Sequence, residues 1–161
     1  MKIHQEYEVQ EFNRLYKELD ELYHETALKL GISDSAFTIM YVVCVLGDGC
    51  LQKDVCREAY ISKQTIHSSV RNLERRGYLY LEKGNGRDKH IRLTEAGRKF
   101  IDERIRPIVE AENRAFQEMS GEERSRKIRA VTAGFTRFCP IPPKSCFTIT
   151  IAAKQPTIAI Q

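Results

Sequence analysis

Lys63, Gln64, Thr65, His67, Ser68, Arg71 and Arg75 fall in one short run, ISKQTIHSSVRNLERRG, from Ile61 to Gly77. They are hydrogen-bonding or cationic side chains with hardly an acid among them. Such side chains suit the edges of bases and the oxygens of phosphates. An arginine can pair with guanine O6 and N7, a glutamine can read adenine, and a threonine methyl can meet that of thymine. In the same run Ile66, Val70 and Leu73 recur at i, i+4 and i+7, which makes one helical stripe apolar. Ser62 suits the N-cap of that helix, and Gly77 suits the left-handed position just past its end. The spacing therefore predicts a helix over 62–76 with one face anchored and the other able to enter a DNA major groove. An ordinary amphipathic surface helix would share the stripe, so what surrounds it decides between the two.

After Gly77 the periodicity changes from 3.6 to 2. Tyr78 to Glu82 and His90 to Leu93 read as strands, and Asn85-Gly86 between them signals a tight hairpin turn. Lys83, Arg87 and Lys89 at the tip can follow a phosphate backbone or enter a narrow minor groove. Before the recognition helix, Gln52 to Ala59 has room for two helical turns, with Val55 and Cys56 inward. This gives a helix-turn-helix followed by a wing at 78–93. Ser33 or Asp34 caps a further helix, Ser35 to Leu46, apolar nearly all round and therefore central. The first helix, from about Gln5 to Leu30, carries Phe12, Leu15, Tyr16, Leu19, Leu22 and Tyr23 on one stripe and stops at Gly31. Thr94 caps a long helix to about Met119, faced by Ile101, Ile105, Ile108, Ala115, Phe116 and Met119, which Pro107 should kink. Ser120-Gly121-Glu122-Glu123 is a capping box opening a last helix to Phe138.

The expected class is mainly α with a small β-hairpin wing (α+β), a winged helix-turn-helix with N- and C-terminal dimerisation helices. Its expected parts are an N-terminal dimerisation helix at 1–32, a DNA-binding domain at 33–99, and C-terminal dimerisation helices at 94–138. The tail 139–161 is atypical: it has no acid and alternates Thr and Ile between prolines. The terminal helices carry more apolar face than one small winged domain can cover, and a two-fold dimer resolves this.

Charge is segregated along the chain. Net charge is +4, but residues 1–30 hold four Lys/Arg against seven Asp/Glu, while residues 51–99 hold twelve against six. The positive excess sits where an anionic partner would be met. No apolar run is long enough to cross a membrane and no basic-then-apolar leader is read, so a soluble cytoplasmic protein is expected. The five cysteines lie in no metal-ligand pattern and read as reduced thiols, with Cys50 the one in the main domain open to redox chemistry. His4, His24, His67 and His90 show no ligand spacing, so neither metal nor cofactor is expected. No phosphate loop, nucleophile elbow or acid–base couple points to an enzyme.

The run from Gln52 to Phe100 resembles the MarR family of winged-helix regulators. The resemblance rests jointly on the ISKQT start, the L-E-R-R-G-Y end and the wing leading to Leu93-Thr94-x-x-Gly97. It implies a homodimer that binds a palindromic operator on double-stranded DNA, usually as a repressor. Lys63, Gln64, Thr65, His67, Ser68 and Arg71 match the recognition-helix positions, and Arg87 matches the wing arginine. It also implies a small phenolic or anionic effector between the dimerisation helices and the DNA-binding lobe, which would place Tyr16, Tyr23, His24, Phe37 and Tyr41 near a pocket. Three positions depart from the pattern. Asn85 stands for an aspartate that braces the wing, Leu51 for a capping Thr or Ser, and Tyr60 for a glycine. The alternative is a winged-helix protein-interaction module that does not bind an operator.

Overall fold

The structure, a computed structural model, describes residues 4–122. The expected last helix, with Ile128, Val131, Phe135 and Phe138 inward, and the tail 139–161 lie outside the described residues. The elements are α1 (Tyr7–Lys29), α2 (Asp34–Leu46), α3 (Gln52–Glu58), α4 (Lys63–Arg75), β1 (Leu79–Lys83), β2 (Lys89–Leu93), α5 (Glu95–Phe100) and α6 (Arg106–Gln117). A π-helical turn, Ile101–Ile105, joins the last two.

Helix α2 is the hub, as its all-round apolar sequence predicts. It buries Ala36, Phe37, Ile39, Met40, Val42 and Val43 and packs against α1, α3, α4, the π turn and α6. Ser33 is its cap, accepting from the Ala36 amide at 3.3 Å. Against it lies α4, whose Ile66, Val70 and Leu73 are fully buried. At roughly 1.5–3 kcal/mol for each such side chain, this stripe fixes which face of α4 is left outward. The hydroxyls of Ser35 and Ser69, 2.7 Å apart, add a polar pin between the two helices.

Both ends of α4 are closed by local chemistry. Ser62 accepts from the Thr65 amide at 3.1 Å. Past Arg75, Gly77 takes φ +73°, and the Tyr78 amide bonds back to the Leu73 carbonyl at 3.0 Å. The turn before α4 is unusual. Tyr60 takes φ +53°, the left-handed conformation that glycine would adopt freely. Leu51, the cap position of α3, makes no side-chain cap and instead forms an isolated bridge with His90.

The wing is an antiparallel pair in register from Leu79↔Leu93 to Lys83↔Lys89. Its loop runs from Gly84 to Asp88, longer than a two-residue turn, because the Gly84 amide bonds the Asp88 carbonyl at 3.0 Å. Asn85-Gly86 lies inside it, with Gly86 at φ +63° and the Asp88 amide returning to the Asn85 carbonyl at 3.1 Å.

The predicted long helix from Glu95 is interrupted. Pro107 has no amide hydrogen to give and its ring crowds the carbonyl four residues back. The turn before it widens, so that the Arg106 amide reaches the Ile101 carbonyl, five residues away. The interruption is thus a π turn that keeps Ile101 and Ile105 buried. No single described helix is long and apolar enough to cross a membrane.

Candidate nucleic-acid interface

The outward face of α4 carries Lys63, Gln64, His67, Ser68, Arg71 and Arg75, all exposed, with Thr65 half-buried at the first turn. Two of these are partly occupied by the helix itself. The Thr65 hydroxyl lies 2.8 Å from that of Ser62, and the Ser68 hydroxyl donates to the Thr65 carbonyl at 2.9 Å. Gln64, His67 and Arg71 make no hydrogen bond among the described residues, so they are the side chains most available to read an edge.

The end of α4 ties the wing to the helix. Glu74 accepts from the Leu81 amide at 3.1 Å. Arg76 lies over the Tyr78 ring, 5.3 Å from its centroid, and donates to the Gly31 carbonyl at 2.7 Å. At the other end of the hairpin, the Thr94 hydroxyl donates to the Gly77 carbonyl at 2.6 Å and caps α5 by accepting from the Gly97 amide at 3.0 Å. Gly97 itself abuts Tyr78: a Cβ there would overlap the Tyr78 carbonyl oxygen and sit 2.8 Å from its carbon. The L-E-R-R-G-Y and L-T-x-x-G signatures are therefore two halves of one joint.

Lys83, Arg87 and Lys89 are exposed on the wing. Asn85 makes no side-chain hydrogen bond among the described residues. The loop is held from α3, where Lys53 pairs with Asp88 at 2.9 Å, and from the turn before it, where the His90 Nδ1 lies 2.8 Å from the Gly49 carbonyl. Lys53 and Asp88 escaped the sequence reading because their pairing spans the helix-turn-helix.

Charge pairing sets this surface apart. Arg14, Lys29, Arg57, Arg92, Arg98, Lys99 and Arg106 each have a carboxylate partner. Lys63, Arg71, Arg75, Lys83, Arg87 and Lys89 have none among the described residues; Lys17, Arg76, Arg104 and Arg114 are the others so placed, Arg76 being held by the Gly31 carbonyl instead. Uncommitted cations thus concentrate on α4 and the wing.

The residues expected near an effector pocket divide. Tyr16 stacks with Phe12 at 6.4 Å, and the exposed His24 holds Asp34 at 3.0 Å. Tyr23, Phe37 and Tyr41 come together, with ring centroids 6.0 Å and 6.3 Å apart. Both tyrosine hydroxyls donate to one carboxylate, Glu112 of α6. Burial, reinforced by that carboxylate, pushes both phenols far above their usual range, so they stay neutral donors. The sequence signal for Glu112 was a carboxylate interrupting the apolar stripe after Ile105 and Ile108. Burial likewise pushes up the thiols of Cys44 and Cys56, and that of Cys50 to about 11, which starves them of reactive thiolate. Among the described residues no group of His, Cys, Asp and Glu could hold a metal ion.

Residues 30–89 match the model of the MarR family. In fold the chain is similar to the MepR–DNA complex of Staphylococcus aureus, with 22% identity and a TM-score of 0.60 over 83% of this chain and 98% of that one. MepR in its DNA-binding conformation gives 20% identity and a TM-score of 0.66 over the same shares, 83% and 98%. A MarR-family regulator from Silicibacter pomeroyi gives 21% and 0.60, over 84% and 92%. At these identities the likeness shows the fold, a winged helix-turn-helix. No curated protein matches the chain.

Proposed function

We propose, from a winged helix-turn-helix whose residues 30–89 match the MarR family, that this chain is a cytoplasmic DNA-binding transcriptional regulator and not an enzyme. It acts as a homodimer and a ligand-responsive repressor on a palindromic operator. The observation that carries the reading is the set of unpaired cations on α4 and the wing. Cations left without carboxylates sit ready for phosphates, whose counterions they release. Gln64, His67 and Arg71 would enter the major groove, while Lys83, Arg87 and Lys89 would meet the backbone or minor groove. MepR, similar in fold, has been solved on DNA, which supports the same use of this surface.

Dimerisation has its own support. Helix α1 fully buries only Ala27 among the described residues, while Phe12, Leu15, Leu19 and Leu22 remain 37–58% exposed, and Phe116 of α6 45%. A second copy laid on that face would cover them and set two recognition helices one helical turn apart.

The test is an anisotropy titration against the chain's own upstream region, with nonspecific competitor and at two salt concentrations. Arg71→Ala should weaken specific binding by about 1–3 kcal/mol and relax sequence preference at one position. Arg87→Ala should weaken it more evenly across sequences. Affinity should fall steeply with salt. Weak, salt-insensitive binding unchanged by both substitutions would instead favour a protein-interaction module.

A further inference from the structure

Tyr60 holds a conformation that its own chain gives it no reason to hold. It takes φ +53° in the turn between α3 and α4, the one non-glycine among the described residues with a positive φ. A bulky side chain is disfavoured there, because its Cβ crowds the following carbonyl oxygen. Such strain persists where a contact compensates for it. Within the chain no such contact is found. The ring is 44% exposed and stands apart from the core, although both neighbours, Ala59 and Ile61, pack into it. Among the described residues the phenol hydroxyl makes no hydrogen bond, and the ring meets no other ring and no cation.

The surroundings say what kind of contact would compensate. Tyr60 lies two residues before Ser62, the cap of α4, and three before Lys63, an exposed cation without a carboxylate. Three residues of chain span at most about 11 Å, so the phenol rises from the margin of the surface on which Lys63 and Gln64 stand. The acids beside the turn are already engaged: Asp54 and Glu58 both pair with Arg57, each at 3.0 Å. Neither is left to repel an anion, and a phenol O–H is a donor that brings no charge of its own. In a helix-turn-helix the first helix crosses the phosphate backbone while the second enters the groove. The turn between them therefore faces phosphates and not base edges. We propose that Tyr60 is a DNA-contact residue whose hydroxyl donates to an operator phosphate, and that the strained turn is kept for that contact. The inference rests on the regulator reading above. It adds to the cationic surface a neutral contact that neither charge nor periodicity marks.

The experiment joins thermal unfolding of the full chain to titration of two duplexes, its own upstream region and an unrelated sequence. The variants are Tyr60→Phe, Tyr60→Gly and Arg71→Ala. Tyr60→Phe keeps the ring and the backbone but not the donor. It should melt with the wild type and bind both duplexes about tenfold more weakly, by the same factor. A neutral donor releases no counterion, so the salt dependence of its binding should match that of the wild type. Tyr60→Gly should bind no better than Tyr60→Phe yet melt about 2–4 °C higher, since glycine takes a positive φ freely. Wild-type operator binding that Arg71→Ala weakens and Tyr60→Phe leaves untouched would overturn this inference alone. So would a loss confined to the upstream region, which would make the phenol a base contact. A Tyr60→Gly chain melting below the wild type would overturn it as well, by making the ring a support of the fold. A wild type without specific, salt-sensitive binding would overturn the regulator reading and this inference together.

Discussion

His24 and Asp34 show what a single pair contributes between α1 and α2. The Asp34 carboxylate, bonded at 3.0 Å, is the main cause of a raised His24 pKa, with Glu21 and Asp20 adding to it. A histidine whose folded pKa exceeds its unfolded one stabilises fully below the unfolded value. That stabilisation is lost as pH rises through the folded value. The chain should therefore lose a small increment of stability on going upward from about pH 6.5. An NMR titration should place His24 above an ordinary histidine, and Asp34→Asn should return it toward one. An unshifted midpoint, or one indifferent to Asp34→Asn, would contradict the pairing. The imidazole is exposed, so the effect belongs to tuning and not to folding as such. Tyr60 illustrates the other kind of residue-scale fact. Its positive φ sits where glycine was expected, so the backbone kept the turn and the side chain adapted to it.

At the scale of elements, the wing is a hairpin steered from α3. An acid beside DNA normally weakens binding, so charge alone says Asp88→Asn should raise affinity. Asp88, however, also anchors the loop to Lys53 and is the immediate neighbour of Arg87. Freed of that anchor, Arg87 should contribute less. A double-mutant cycle of Asp88→Asn with Arg87→Ala, read by operator affinity, should give a coupling of about 0.5–1 kcal/mol, the range of an exposed pair. Strict additivity would show that the loop needs no anchor. The elements themselves were largely legible. Ser33, Ser62 and Thr94 cap as their positions predict, and Gly77 closes α4, because capping is a short-range matter of one hydroxyl or one backbone conformation. What escaped was long-range. Lys53 meets Asp88 across 35 residues, and Tyr23 and Tyr41 meet Glu112 across 89 and 71. Periodicity places a residue on a face but cannot say which distant face it will touch. Pro107 announced a kink, but not the widened π turn at Ile101–Ile105 that precedes it.

At the scale of the whole molecule, the described residues form a lobe around α2 and leave the apolar side of α1 half exposed. If a second copy covers it, placing charge there should divide the assembly without disturbing the core, since Leu19 and Leu22 are about half exposed within one chain. Leu19→Glu with Leu22→Glu should yield a folded monomer by analytical ultracentrifugation. Its operator affinity should fall steeply, because a palindrome rewards two linked half-sites. A dimer that survives both charges would place the interface elsewhere. The π turn bears on the same architecture in a different way. By holding one residue more than an α turn, it offsets the angular phase of everything after it by about 100°. Glu112 faces the two tyrosines with that offset in place. Residues 101–105 thus work as a phase adjuster in the helix. Removing Arg104, which has no carboxylate partner among the described residues, would rotate α6 like a dial and present a different row of side chains to α1 and α2.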